Sequence, residues 1–285
     1  MIRIGALIVA GMLAGCAATP PPAASQAAPA QPGRHYRWQL GSGEAAVLSA
    51  QAHRAMATFV AAHAKGPATS VVLASGSTPA APRFETCGAK PRAVIYDIDE
   101  TVLLNTGANY DSAVRGDPPF DPARWAKWER NGATKVEAVP GVVDAIAAIR
   151  AAGVTVVFNS NRDRAAAAPT AAALASVGIA GSVPGDTLLL KGDVAPGSAK
   201  DPRRAAVAAR YCVIAMAGDN LGDFADAFND KSLSTPARRA LAQSPALTPL
   251  WGNGWFLIPN ALYGGWEGAG FDDLFPADKR WSPES

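Results

Sequence analysis

The chain has 285 residues, of which 49% are hydrophobic and 18% are charged, and its formal net charge is +2. This composition is that of a globular protein with enough chain for one large domain or two small ones. Lysine and arginine form no basic stripe, so the sequence gives no indication that the protein binds a nucleic-acid polymer.

The N-terminus has the pattern of a secretory signal. Arg3 is followed by an apolar run over residues 4–13, and small residues then lead to Cys16. The run is too short for a membrane-spanning helix, which needs about 20 apolar residues. The sequence LAGC resembles a bacterial lipobox, which predicts a signal peptide over residues 1–16 and lipidation of Cys16. A plain signal peptide with a chance cysteine is the alternative.

The same pattern predicts where the protein resides. Ala17, rather than an aspartate, follows the cysteine, which favours sorting to the outer membrane, with the folded part facing the periplasm or the cell surface. Residues 17–34 are rich in proline and alanine and predict an extended tether before a folded domain over residues 35–285. In an oxidising compartment Cys87 and Cys212 could pair, with two buried thiols as the alternative.

The remaining sequence alternates between helical and strand patterns. Helical patterns cover residues 43–64, 140–153, 163–176 and about 199–209. Strand patterns cover a run that ends at Asp97 and residues 154–160, 187–190, 212–219 and 255–259. Continuous apolar strands separated by helices predict an α/β fold, with a parallel sheet covered on both faces.

Polar side chains follow several of these strands. They are Asp97, Asp99, Ser160, Asn161, Arg162, Lys200, Asp219 and Asp223. Because ligands of parallel sheets bind at the carboxyl ends of the strands, we expect one crevice to contain them. Clustered carboxylates with few histidines favour Mg²⁺ over zinc, and a carboxylate can act as a nucleophile towards phosphorus. A lysine and a hydroxyl offer charge and hydrogen bonds to phosphoryl oxygens.

Four of these segments resemble, in order, the motifs of the haloacid dehalogenase (HAD) superfamily. They are DIDET at 97–101, SNR at 160–162, the lysine of SAK at 200 and GDNLGDF at 218–224. Flanking segments that include NTGANY, PFDPARWAKW, LLLKGD and FLIPNALYGGWEG look like those of the class C acid phosphatases. These are outer-membrane lipoprotein phosphatases with 5′-nucleotidase activity, and the resemblance spans roughly residues 35–270.

The resemblance implies a fold and a reaction. The expected fold is a HAD-like Rossmannoid parallel sheet with helices on both faces and a small helical cap inserted at about residues 104–138. The expected reaction is Mg²⁺-dependent hydrolysis of phosphomonoesters, such as 5′-nucleotides or compounds like nicotinamide mononucleotide.

The resemblance also implies roles for individual residues. Asp97 would be the nucleophile and a metal ligand. Asp99 would give its backbone carbonyl to the metal, while its side chain acts first as general acid and then as general base. Asp219 would complete the protein's metal ligands, and Ser160 and Asn161 would bind phosphoryl oxygens.

The resemblance also bears on the roles of five further residues. Lys200 would neutralise the phosphoryl charge, and Asp223 would orient Lys200 or a water on the metal from behind. Lys191 is an alternative to Lys200, although the PGSAK context favours Lys200. Trp125 and Tyr263 match the points where aromatic side chains stack on the nucleotide base, and packing in a small core is their alternative.

Other features leave alternatives open. His35, His53 and His63 precede the first motif and are interpreted as surface or linker residues, and residues 70–86 have no counterpart in the resembled family. A non-catalytic haem- or nucleotide-binding lipoprotein of the same fold is the alternative function. Mutase or dehalogenase chemistry is a further alternative, although Asp99 disfavours a dehalogenase because a halide leaves without an acid. The oligomeric state stays open, with a homodimer among the alternatives.

Overall fold

A computed structural model describes residues 31–283, so the predicted signal peptide, Cys16 and most of the tether lie outside the described residues. These residues contain nine α-helices, numbered in chain order: α1 Arg34–Gly41, α2 Gly43–His63, α3 Thr106–Val114, α4 Pro122–Asn131, α5 Val142–Ala151, α6 Ala167–Ser176, α7 Asp201–Arg210, α8 Thr235–Ala242 and α9 Phe271–Leu274. No helix within residues 31–283 has the length and apolar character needed to cross a membrane.

The strands form one parallel sheet and a separate small pair. They are β1 Arg92–Tyr96, β2 Leu103–Leu104, β3 Glu137–Ala138, β4 Thr155–Asp163, β5 Leu188–Lys191, β6 Cys212–Gly218 and β7 Trp255–Leu257. The sheet has the order β5-β4-β1-β6-β7, and all of its pairings are parallel. The predicted α/β fold with a parallel sheet is therefore confirmed.

The central strand β1 is buried on both faces because its neighbours β4 and β6 flank it and helices cover the sheet. Val94 and Tyr96 pack in one core cluster together with residues of α2 and α5, whereas Ala93 and Ile95 pack in a second cluster. This alternation follows from the two-residue period of a strand. Tyr96 is in register with Phe158 of β4 and with Ala217 of β6, so the three strands end at the same edge.

The segment between β1 and α5 leaves the sheet and returns to it. It contains α3 and α4, and β2 pairs antiparallel with β3 at its base. Asp121 begins α4 by accepting hydrogen bonds from the backbone N–H groups of Ala123 and Arg124, as aspartate does at many helix N-termini. We call residues 105–136 the insertion.

Three features of the structure were either not predicted from the sequence or left undecided by it. α1 begins at Arg34, the last residue of the expected tether, and was not predicted. Residues 70–86 form a small hairpin, in which Leu73 lies opposite Phe84 and Thr78 lies opposite Ala81. Cys87 and Cys212 form a disulfide near the starts of β1 and β6, which decides between the two alternatives for these cysteines.

The interpretation of His53 as a surface or linker residue is wrong. Its side chain is completely buried on the face of α2 that packs on the sheet, and its ring stacks on Tyr96 with the centroids 6.0 Å apart. The physical reason is helical phase, because His53 lies four residues after the buried Ser49 and three before the buried Met56. Burial lowers the pKa of His53 to about 4, so the ring is neutral in the folded protein.

Candidate active site

The site begins where β1 ends. The backbone N–H of Asp97 still donates to Ala217 of β6 (2.9 Å), and the chain then turns sharply away from the sheet. Within this turn Glu100 has a φ of 58° although its side chain is buried. A non-glycine residue rarely adopts this left-handed conformation, and such strain is typical of functional sites. The turn places the carboxylates of Asp97 and Asp99 at the carboxyl edge of the sheet.

Lys200 connects two of the carboxylates. Its Nζ lies 2.5 Å from Oδ1 of Asp97 and 2.7 Å from Oδ1 of Asp223, and all three side chains are nearly buried. Lys200 directly precedes α7, and its backbone N–H donates to Asp226 (2.8 Å), which fixes the start of that helix. The chain therefore brings together residues that are 103 positions apart in sequence.

Asp219 completes a group of three acids. One oxygen from each of Asp97, Asp219 and Asp223 lies within 4.8 Å of the others. Asp219 accepts hydrogen bonds from the hydroxyl of Thr101 (3.0 Å) and from the side-chain amide of Asn260 (2.6 Å), which hold its carboxylate in place. A cavity of about 200 Å³ opens over this group.

The electrostatics of the three acids fit a divalent cation. Burial raises the pKa of Asp97 to about 6, while Lys200 opposes that shift. Burial, and then the charges of Asp223 and Asp97, raise the pKa of Asp219 well above its usual value. Burial would lower the pKa of Lys200, but the two carboxylates beside it raise it instead. One ammonium thus faces two buried acids and one half-buried acid, and a hard cation with oxygen ligands would supply the missing positive charge.

The side chain of Asp99 makes a different set of contacts from that of Asp97. Arg162 donates to Oδ1 of Asp99 from both Nε (2.9 Å) and Nη2 (2.7 Å), and its guanidinium is almost completely buried. Asn105 donates to Oδ1 (3.0 Å), and the hydroxyl of Ser160 donates to Oδ2 (3.3 Å). These groups hold the carboxylate of Asp99 in one orientation.

Above the cavity, a network of side chains joins the insertion to the C-terminal segment. The hydroxyl of Tyr263 donates to Glu100 (3.0 Å), whose carboxylate also accepts from the side-chain amides of Asn105 (2.9 Å) and Asn109 (3.2 Å). Burial raises the pKa of Glu100 to about 7. Tyr263 lines the cavity, and the hydrogen bond from its hydroxyl to Glu100 holds that end of the side chain in place.

α1 supports this network from below. The side-chain amide of Gln39 donates to the backbone carbonyl of Pro259 (3.0 Å) and accepts from the backbone N–H of Ala261 (3.0 Å). These two bonds bracket Asn260, the residue that donates to Asp219. The helix that follows the expected tether thus fixes a loop of the site.

The structure brings most of the predicted site residues together. Asp97, Asp99, Asn161, Lys200, Asp219, Asp223 and Tyr263 line the cavity. Ser160 is completely buried beside Asp99 rather than on the cavity wall. Lys191 lies on the outer surface, 3.5 Å from Asp163, so it is Lys200 that meets Asp97. Trp125 lines a second pocket, of about 350 Å³, between α3 and α4 and donates to Glu129 (2.8 Å).

Several residues that hold the predicted site residues in place had been assigned no role from the sequence, namely Gln39, Thr101, Asn105, Arg162, Arg203 and Asn260. Arg162 was noted in the SNR segment, but no role was assigned to it. Thr101 is the last residue of the first motif and Asn105 follows it closely, so their position offered a signal. Gln39 offered none, because its contacts join residues more than 200 positions apart. Asn260 offered none either, because it meets Asp219 from 41 positions away.

Comparison with known proteins gives a consistent result. The family described as HAD superfamily, subfamily IIIB (acid phosphatase), matches residues 33–266. The class C acid phosphatase from Bacillus anthracis is 26% identical, with a TM-score of 0.64, and the match covers 81% of this chain and 84% of that one. A structure of the same Bacillus anthracis enzyme with tungstate bound gives the same identity and TM-score, with coverage of 84% and 88%.

Proposed function

Because this chain belongs to HAD subfamily IIIB, the acid phosphatases, and is therefore a phosphomonoester hydrolase, we propose that it hydrolyses 5′-nucleotides or related phosphomonoesters with Mg²⁺ through a phospho-Asp97 intermediate. One observation carries the proposal. Lys200 lies within hydrogen-bonding distance of Asp97 and of Asp223, and Asp219 lies beside them at the floor of one cavity. This is the arrangement that a phosphoryl group with its cation requires.

The cation would be held by Asp97, Asp219 and the backbone carbonyl of Asp99. Asp223 is less available, because its two oxygens already accept from Lys200 (2.7 Å) and from the backbone N–H of Asn220 (2.9 Å). Oδ2 of Asp97, in contrast, has no hydrogen-bond partner among residues 31–283. A bound Mg²⁺ would neutralise the carboxylates and polarise the phosphoryl oxygens. The tungstate complex of the related Bacillus anthracis enzyme supports a tetrahedral oxyanion as ligand.

The residues then act in two steps. A carboxylate oxygen of Asp97 forms a bond to phosphorus while the ester P–O bond breaks, and Asp99, which must be protonated in the substrate complex for this step, gives its proton to the departing alkoxide oxygen. Asp99, now ionised, takes a proton from water as the water oxygen bonds to phosphorus. The bond from phosphorus to Asp97 breaks and inorganic phosphate leaves. Lys200 holds the negative charge of the phosphoryl oxygens throughout.

Tyr263 and Trp125 would bind the leaving group. Tyr263 stands over the cavity with its hydroxyl fixed by Glu100, so its ring offers a face to a nucleotide base. Trp125 lies in the neighbouring pocket of the insertion. Stacking tolerates different bases, which fits an enzyme of broad nucleotide specificity.

The N-terminal sequence supports a location for this activity. The lipobox at Cys16 and the proline-rich stretch after it favour a lipid-anchored protein of the outer membrane, and the disulfide between Cys87 and Cys212 fits an oxidising compartment. A homodimer in solution stays part of the proposal, to be measured by light scattering on the purified chain.

The test is a set of assays with the purified domain. We expect hydrolysis of p-nitrophenyl phosphate with Mg²⁺, loss of activity in EDTA and recovery when Mg²⁺ is added back. A panel of nucleoside 5′-monophosphates, nicotinamide mononucleotide and sugar phosphates then identifies the substrate class through kcat/KM. Absence of hydrolysis with every ester and metal, together with tight binding of haem or a nucleotide, would instead favour the binding-protein alternative.

A further inference from the structure

Two neighbouring arginines at the start of α7 are both completely buried, and they differ in their partners. Arg204 donates to two carboxylates, Asp201 (2.5 Å) and Asp226 (3.1 Å), and to the backbone carbonyls of Gly222 (3.1 Å) and Asp223 (2.7 Å). Its charge and its hydrogen bonds are therefore satisfied within the chain.

Arg203 has no carboxylate partner among residues 31–283. Its Nη2 donates to the side-chain oxygen of Asn161 (2.5 Å) and, at the limit of hydrogen-bonding distance, to the backbone carbonyl of Ser198 (3.5 Å). Its Nε is buried and has no hydrogen-bond partner within the described part of the chain. Burial, together with the neighbouring charge of Arg204, lowers the pKa of Arg203, and the charges of Asp97, Asp226 and Asp193, none of them in an ion pair with it, only partly oppose that shift.

A buried cation without a counterion destabilises a fold unless something else compensates it. The contact with Asn161 indicates where that compensation lies, because Asn161 is exposed on the wall of the cavity that Asp97 and Lys200 share. The buried charge of Arg203 thus stands one side chain behind the place where a phosphoryl group would bind.

The contact also fixes the orientation of the Asn161 amide. An arginine can only donate hydrogen bonds, so the group that faces Arg203 must be the oxygen, Oδ1. The amide nitrogen Nδ2 is then left on the other side, and it makes no hydrogen bond within the described part of the chain. Asn161 is held as a donor towards the cavity, which suits an anion and not a cation.

We propose that Arg203 is a positioning residue for phosphate: it holds Asn161 as a donor to a phosphoryl oxygen, and the phosphate dianion is the counterion that Arg203 lacks in the free protein. This inference rests on the proposed phosphatase function. Two cationic side chains then have different roles in phosphate binding. Lys200 contacts the phosphoryl group directly, and Arg203 acts through Asn161.

The experiment compares Arg203→Met, Arg203→Lys and a control, Arg210→Met, with inorganic phosphate as the probe. Arg210 is on the same helix but at its exposed end, where it pairs with Asp186. We expect Arg203→Met to raise the inhibition constant of phosphate against p-nitrophenyl phosphate, and KM, by about tenfold to a hundredfold. The effect on kcat should be much smaller. Arg203→Lys, which keeps the charge, should recover part of the affinity, and Arg210→Met should match the wild type.

The thermal midpoint of unfolding provides a second measurement, which should distinguish Arg203→Met from Arg204→Met. Without phosphate, Arg203→Met should have a thermal midpoint no lower than that of the wild type, whereas Arg204→Met should lower it because two carboxylates lose their partner. Phosphate should raise the midpoint of the wild type more than that of Arg203→Met. If Arg203→Met fails to fold, the arginine belongs to the framework and the proposal is wrong.

A double-mutant cycle tests the path through Asn161. Asn161→Ala should weaken phosphate binding less in the Arg203→Met background than in the wild type, because the amide is then no longer held. Strictly additive effects would overturn the positioning role. The two proposals fail separately: a wild type that does not hydrolyse phosphomonoesters refutes the proposed function. An active wild type whose phosphate inhibition is unchanged by Arg203→Met refutes only this inference.

Discussion

The floor and the rim of the site are built in different ways. The floor consists of Asp97, Lys200, Asp219 and Asp223, each of which follows a strand or begins the helix after one. The rim consists of Glu100, Asn105, Asn109 and Tyr263, which come from the turn after β1, the insertion and the C-terminal segment. Buried ion pairs and the sheet hold the floor, whereas side-chain hydrogen bonds to Glu100 hold the rim.

The difference indicates what each region contributes. A parallel sheet brings the carboxyl ends of its strands together whatever the conformation of the loops, so the fold itself places the residues of the floor. The rim depends on side chains that meet only after the insertion and the C-terminal segment have docked. We therefore expect changes in the floor to remove the reaction, and changes in the rim to alter which substrates are used.

The largest effect should come from Asp97→Asn. An amide is a poor nucleophile and a poor ligand for a cation, so kcat should fall by more than about 1,000-fold. The same change removes one of the crowded buried acids, and Lys200 keeps Asp223 as a partner. The thermal midpoint of the metal-free variant should therefore be equal to that of the wild type or higher. Turnover near the wild-type rate would refute the role of Asp97.

Asp99→Asn should have the next largest effect and should differ in stability. General acid–base catalysis contributes roughly 100- to 10,000-fold, and most of that factor should be lost from kcat with an alkyl phosphate. Arg162 would lose the carboxylate that neutralises it, which costs about 3 kcal/mol of unfolding free energy. An ester with a very acidic leaving group needs no proton and is the control, because its first step should be slowed far less.

The same contrast explains how much could be predicted from the sequence. The parallel sheet and the residues of the floor follow from continuous apolar strands that end in polar residues. Their partners are adjacent strands, so a pattern along the chain is enough to place them. The left-handed backbone conformation of Glu100 could not be predicted, because glutamate has no preference for a positive φ.

The contacts of the rim, and those of Gln39 with the loop that carries Asn260, could not be predicted for a different reason. Gln39 reaches Pro259 and Ala261 across the fold, and this contact has no local signature in the sequence. Asn105 contacts Asp99, Arg162 and Glu100 at once because the insertion folds back on the first motif. Such networks depend on tertiary packing, which hydrophobic periodicity does not specify.

His53, beneath the floor, gives a pH-dependent prediction. Its pKa is about 4 in the folded protein and about 6.5 when unfolded, so the unfolded state binds the extra proton between these values. The contribution of His53 to stability is complete above about pH 6.5 and is lost as pH falls to about 4, a change of about 3 kcal/mol.

Urea unfolding between pH 7 and pH 4 measures this contribution. In His53→Leu, which cannot bind the proton, the unfolding free energy should fall less steeply over this range than in the wild type. His63→Gln is the matched control, because His63 is on the same helix and exposed, and it should follow the wild-type curve. An unchanged slope in His53→Leu would mean that the ring is protonated, and thus solvated, in the folded state.

The smallest effect should come from the rim, through Tyr263. Tyr263→Ala removes a stacking surface worth on the order of 1–3 kcal/mol per base, so KM for a nucleoside 5′-monophosphate should rise by about tenfold or more. KM for a small alkyl phosphate, which has no base, should change little, and kcat should be kept for both.

Tyr263→Phe keeps the ring but loses the bond to Glu100, so its effect should be smaller still. Phe271→Ala, at an exposed aromatic outside the cavity, should change neither KM. If Tyr263→Ala raised KM for both esters equally, the tyrosine would be supporting the floor, and the division between the two regions would not hold at this residue.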